Sequence, residues 1–317
     1  MLNRAICTAR AAWYGAAEPW RLRWARWESG WWYHNHYCDE LPLVCDVKWR
    51  RAVALHGNPL ISVLIPTHNR AELLLTRALP SVLAQTYTNL EIIVAIHGDV
   101  KPTRSAIFQH VVKGGKRVCW LNDKTGRVTV MDAAGKTVED RIVLLEVPRC
   151  RTYPPTAENH WLTGPVAPLN AALEAAQGSW IARIDDDDIW TPDHVERLLR
   201  AAQGHDWEFV SSAYERERGG VRETVDHDGG NPPIGGTQTW LWRAYLRFMR
   251  WNPDCWRKTW NRPNDLDLAD RFRKAGVRIG WIPDRTALIL PRPGETTVGL
   301  AAYRRDTKAT EAAFAFR

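Results

Sequence analysis

At 317 residues, with 45% hydrophobic and 25% charged side chains, the chain can bury a sizeable core and is too apolar for disorder to be its default state. Lys and Arg number 43 against 36 Asp and Glu, a formal charge of +7 that suits nucleoside diphosphates, nucleic acid or anionic lipid without choosing among them. No stretch reaches the roughly 18 apolar residues of a membrane-spanning helix, and six scattered cysteines in a chain this long read as reduced thiols, so a cytoplasmic protein is expected.

Residues 1–57 form a Trp- and Arg-rich extension in a chain that carries 18 tryptophans. Trp20, Trp24 and Trp27 recur at helical spacing with Arg21, Arg23 and Arg26 turned elsewhere. Such a stripe packs on a neighbouring domain or lies on a membrane surface, and the second reading makes peripheral membrane contact a candidate partner interaction. His34, His36, Cys38 and Cys45 offer zinc-ligating atoms at a spacing that matches no standard site.

From residue 58 to 317 a single α/β domain is expected. LISVLIPTHN reads as a buried strand running into a loop, AELLLTRALPSVLAQ as a helix and NLEIIVAIHGD as a second strand and loop. Residues 111–140 carry turn signals at Asp123–Gly126 and Ala133–Gly135 and read as an inserted β-hairpin before a third strand, RIVLLEVP. GPVAPLNAALEAAQG predicts a helix ended by Gly178, SWIARIDDDD a fourth strand, and TPDHVERLLRAAQG a helix with Thr191 as N-cap and Pro192 at its first position. Strands apolar throughout and separated by helices imply a mostly parallel sheet covered on both faces.

Asp185, Asp186, Asp187 and Asp188 follow the fourth strand directly. Ligands of open α/β sheets bind beyond the carboxyl ends of strands, where this run falls. Four adjacent carboxylates repel unless a cation compensates, and on extended backbone Asp185 and Asp187 share a face, so they can hold one Mn²⁺ or Mg²⁺. The plainer alternative is a solvated turn capping the next helix. A second acidic group, Asn264-Asp265-Leu266-Asp267, opens a predicted helix, from which Asp265 projects outward as a candidate general base.

Together these segments resemble inverting glycosyltransferase family 2, which has the GT-A fold, a Rossmann-type architecture. The resemblance runs from Ile61 to Pro283 through ISVLIPTHNR, VAPLNAALEAAQGSWIARIDDDDIWTPDHV and NDLDLADRFRKAGVRIGWIP, in the family's order. It implies that Pro66, Thr67, Asn69, Arg70 and Asn170 belong to the nucleotide-sugar site, that Asp185 and Asp187 bind the metal, Asp187 more closely, with Asp186 near the ribose or the metal, and that Asp265 deprotonates the acceptor. Where the family carries a base-reading aspartate, this chain has Ile96 and His97, with Asp99 slightly later, so His97 and Asp99 are the candidates for the nucleotide site, Asp99 as the replacement for that aspartate. Asn264 stands where glutamate is common. The signature of processive polymer synthases is missing, which implies addition of one or a few sugars.

By the same resemblance the segment before Asp265 lies near the acceptor channel. Trp240, Trp242, Trp251, Trp256 and Trp260 fall there; core packing is the expectation for most of them, and Trp240 is the leading candidate for stacking on an acceptor sugar, with Trp242 and Asp267 also assigned to the acceptor. Arg292, in LPRPGE, is a candidate diphosphate contact. The partners so implied are a nucleotide-diphosphate sugar, UDP-linked, and a carbohydrate, lipid-linked or protein acceptor. Nucleic-acid binding is opposed by the acidic run at a strand end. A degenerate sugar-binding domain and a metal-dependent nucleotidyltransferase are the remaining alternatives, and the second has no use for Asp265.

Overall fold

The computed structural model describes residues 57–98, 100–112, 118–122, 125–148, 161–253, 255, 263–299 and 301. The Trp20, Trp24 and Trp27 stripe, the His34, His36, Cys38 and Cys45 cluster, Asp99, Trp256 and Trp260 lie outside the described residues. In chain order the strands are β1 (Ile61–Thr67), β2 (Leu90–His97), β3 (Val118–Leu121), β4 (Arg127–Met131), β5 (Thr137–Val147), β6 (Trp180–Arg183), β7 (Asp188–Trp190), β8 (Phe209–Arg218), β9 (Val221–Val225), β10 (Leu241–Arg243) and β11 (Ile279–Ile289). The helices are α1 (residues 71–83), α2 (Val100–Val111), α3 (Val166–Ala175), α4 (His194–Gly204) and α5 (Asn264–Lys274). None of the described helices is long and apolar enough to cross a membrane.

The strands form one sheet in the order β3-β4-β5-β2-β1-β6-β10-β8-β11-β7, with β9 paired to β8. Strands β5, β2, β1 and β6 are mutually parallel, as are β8 and β11. The short β10 runs antiparallel between β6 and β8. All residues of β1, β2 and β6 are buried, the mark of strands covered on both faces. Alternation then divides their side chains. Ile61, Val63, Ile65, Ile92, Val94 and Ile96 pack with α1, α2 and α4, whereas Leu64, Ile93 and Ala95 pack with α3 and α5. This is the α/β architecture that the apolar runs predict.

Three local expectations change. Residues 118–131 do form the antiparallel pair β3–β4, but β4 also pairs with β5, which begins at Thr137, so the hairpin extends the main sheet at its edge. The helix expected from Thr191 begins at His194 after Asp193, with no side-chain cap, because the Thr191 hydroxyl bonds the Asp193 carboxylate instead at 2.9 Å. Gly178 does not cap α3, which ends at Ala175. A Cβ on Gly178 would lie 2.7 Å from the Ser62 nitrogen and 2.8 Å from the Leu60 carbonyl, so glycine is there to let the chain pass against β1.

Candidate active site

A pocket of about 360 Å³ opens where β1, β2 and β6 end, in the size range of small-molecule sites (roughly 300–1,000 Å³). The strands' shared register brings Thr67 of β1 beside Ile96 of β2, and Leu64 beside Arg183 of β6. Their following loops must therefore converge. Pro66, Thr67, His68 and Arg70 line the pocket from β1, His97 from β2, and Arg183 with Asp185–Asp188 from β6. Asp265 and Asn264 line it from the first turn of α5, and Arg292, Glu295 and Val298 from the segment after β11.

The acidic run is a tight turn rather than strand, closed by the Asp188 N–H donating to the Asp185 carbonyl at 3.2 Å. Alternate side chains are nevertheless sorted. Asp186 and Asp188 are buried, whereas Asp185 and Asp187 are partly exposed to the pocket. Asp186 accepts hydrogen bonds from Thr67 Oγ1 at 2.8 Å and Arg70 Nη1 at 3.3 Å, so it joins the β1 loop to the turn. Burial, with the neighbouring Asp187 charge, pushes its carboxyl up to about 7 against the opposing pull of Arg70 and Thr67. Burial, and then repulsion from Asp187 and Asp185, also holds Asp188 well above the usual carboxylate range.

Asp185 and Asp187 differ in how firmly they are held. Asp185 Oδ1 takes a 2.6 Å bond from buried Arg183. Among the described residues the contacts of Asp187 Oδ2 are long, 3.5 Å to Arg70 and 3.9 Å to Arg292. Asp187 is thus the carboxylate more readily surrendered to an incoming cation. Two hard oxygen donors at a pocket wall fit Mg²⁺ or Mn²⁺, which keep waters and share substrate phosphates. Among the described residues no group of three or more His, Cys, Asp or Glu is arranged to hold a metal ion.

Across the pocket Asp265 accepts the Leu266 N–H at 2.9 Å. Burial raises its pKa, partly offset by the Arg183 charge. Arg183 thus faces both acidic groups and also donates to Thr237. Sequence reading passed over Arg183, although a lone arginine within the apolar strand that leads into four aspartates is itself a signal of a buried counter-charge. His68, Trp161, Tyr214 and Gln238 also line the pocket and carried no such signal. His68 and His97 lie with ring centroids 5.5 Å apart. Gly98 beside them has φ of +116°, and a Cβ there would sit 2.8 Å from Asn69 Oδ1.

Several expected contacts fall elsewhere. Trp240 and Trp242 are each 1% exposed and belong to the core, so neither offers a face to an acceptor; Trp240 donates its indole N–H to the Gly235 carbonyl at 2.9 Å. Asp267, also buried, is paired with Arg271 one helical turn on, at 3.0 Å. Asn170 spends its amide on Trp251, donating to its carbonyl at 2.8 Å and accepting its N–H at 3.0 Å. Asn69, with φ of 54°, shapes the loop without being a lining residue.

The family model described as Glycosyl transferase family 2 matches residues 62–143 and 157–261, more than half of the chain. The chain belongs to glycosyl transferase family 2. The matched residues stop short of Asp265. The Escherichia coli (strain K12) protein WcaA, described as a colanic acid biosynthesis glycosyl transferase, is 31% identical over 160 residues, 50% of this chain and 42% of that protein. An Escherichia coli protein named UDP-Glc:alpha-D-GlcNAc-diphosphoundecaprenol beta-1,3-glucosyltransferase WfgD is 25% identical over 156 residues, 49% of this chain and 46% of its own length. The chain therefore matches less than half of either relative. Among solved structures, the mannosyltransferase PcManGT from Pyrobaculum calidifontis, in complex with GDP-Man and Mn²⁺, has a TM-score of 0.50 at 16% identity, covering 87% of this chain and 72% of that one. That likeness is one of fold, and it gives this family 2 domain the expected GT-A architecture.

Proposed function

We propose that this domain transfers a single glycosyl group from a nucleoside diphosphate sugar to an acceptor hydroxyl, inverting the anomeric centre. The observation that carries the reading is that Asp265, the acidic turn and Arg183, which bonds Asp185, all line the same pocket. Asp265 takes the acceptor proton as the acceptor oxygen bonds the anomeric carbon. The bond from that carbon to the diphosphate oxygen breaks on the opposite face, and the nucleoside diphosphate leaves. Asp185 and Asp187 would hold Mn²⁺ or Mg²⁺, which when bound neutralises charge on the leaving diphosphate. Arg70 and Arg292 line the same pocket beside Asp187 and would supply guanidinium donors to phosphate oxygens of the donor.

The donor assigned is UDP-linked and the acceptor lipid-linked, because the name of WfgD carries UDP-Glc and a diphosphoundecaprenol-linked sugar. A thermal-shift panel of nucleoside diphosphates, with and without Mn²⁺, tests this. A ligand at 100 times its Kd stabilises by about 2.7 kcal/mol, so UDP with Mn²⁺ should raise the Tm measurably. Asp187→Ala should lose the Mn²⁺-dependent part of that shift. Silence from every nucleotide would return the domain to a degenerate sugar-binding module.

A further inference from the structure

Helix α1 contains Pro80, which has no N–H for the Thr76 carbonyl and whose ring crowds it. The helix responds with a π turn over Leu74–Ala78, in which the Leu79 N–H donates to the Leu74 carbonyl. Such turns are rare and concentrate at functional sites. This one carries Arg77. The Arg77 guanidinium donates to three main-chain carbonyls. Nη1 reaches Asp187 at 3.0 Å and Leu290 at 3.1 Å, and Nη2 reaches Pro291 at 2.7 Å. The first carbonyl belongs to the residue proposed to bind metal. The other two begin the segment that continues as Arg292, Glu295, Val298 and Gly299 of the pocket wall. Arg77 does not line the pocket, so it can act there only through these two segments.

We infer that Arg77 is a positioning residue, a clamp that fixes the acidic turn against the segment after β11 and so sets the shape in which the donor binds. The inference rests on the proposed function. A planar guanidinium spans adjacent carbonyls with fixed donors, whereas a lysine ammonium is a point donor and cannot hold all three from one place. Donor binding, more than the chemical step, should therefore depend on the clamp.

The test compares the full chain with Arg77→Met, which keeps the aliphatic packing of the stem, and Arg77→Lys. In Arg77→Met, amide exchange across residues 291–299 should quicken by about 10-fold or more while the melting temperature stays within a few degrees of wild type. Its KM for UDP-sugar should rise about 10-fold with kcat held within roughly 3-fold, the pattern of lost uniform binding. Arg77→Lys should recover part of both. Wild-type exchange and wild-type KM in Arg77→Met would overturn the inference, and so would a parallel loss of kcat and melting temperature. If wild-type protein neither binds UDP with Mn²⁺ nor turns over UDP-sugar, it is the glycosyltransferase reading that fails, and the exchange comparison decides the clamp by itself.

Discussion

The domain has two acidic segments facing one pocket, the turn Asp185–Asp188 and the start of α5 at Asp265 and Asp267, and they partition their carboxylates by different means. In the turn, neighbours alternate between scaffold and pocket: Asp186 is held by Thr67 and Arg70, whereas Asp185 and Asp187 remain partly exposed. In the helix, 100° per residue sends Asp267 inward to Arg271 and leaves Asp265 facing the pocket. A cluster of like charges is therefore a mixture of working and structural groups, and the backbone decides which is which.

The comparison breaks most visibly at Asp265. Asp265→Asn should lower transfer by about 10²–10⁴-fold while UDP with Mn²⁺ still shifts the melting temperature. Unchanged turnover would remove it as the base. Its structural counterpart should behave oppositely. Asp267→Ala leaves Arg271 buried without its carboxylate and should cost about 3–5 kcal/mol of stability in denaturant melts, with KM for donor near wild type in the folded fraction. A large catalytic defect at unchanged stability would mean that Asp267 reaches the acceptor after all.

The pH profile sharpens the same contrast. A base works ionised, and burial raises the pKa of Asp265, the proposed base, so kcat/KM should fall as pH drops through a value above the ordinary carboxylate pKa of about 4. Residual activity of Asp265→Asn should lack that limb. The smallest catalytic effect belongs to Trp240. Trp240→Phe should cost about 1–3 kcal/mol of stability through lost packing and the lost bond to Gly235, and leave acceptor KM unchanged.

Much of this was legible in the sequence. The largely apolar β1, β2 and β6 announced a sheet buried on both faces, and the acidic run at a strand's end announced the position of the pocket. What escaped was decided by tertiary partners. The sequence favours core packing for most of these tryptophans but leaves Trp240 open as a sugar platform, until Phe209 and Phe272 are seen beside Trp240 and Trp242. Asn170 looked available until Trp251 took both ends of its amide. Arg77 carried no signal in the sequence, because a periodicity argument assumes 3.6 residues per turn and α1 departs from that spacing at the π turn.

The seating of the acidic turn has a consequence for the order of folding. Its Asp186 is tied to Thr67, 119 residues earlier, and Asp188 just beyond it pairs with Ile289, about a hundred residues later. Contacts so distant in sequence close late and slowly. A nascent chain emerging from the ribosome can build β1, β2 and β6 long before β11 exists. The acidic turn gains its second anchor only after residue 290 has been synthesised, so the pocket should take its final shape only once β11 has joined the sheet.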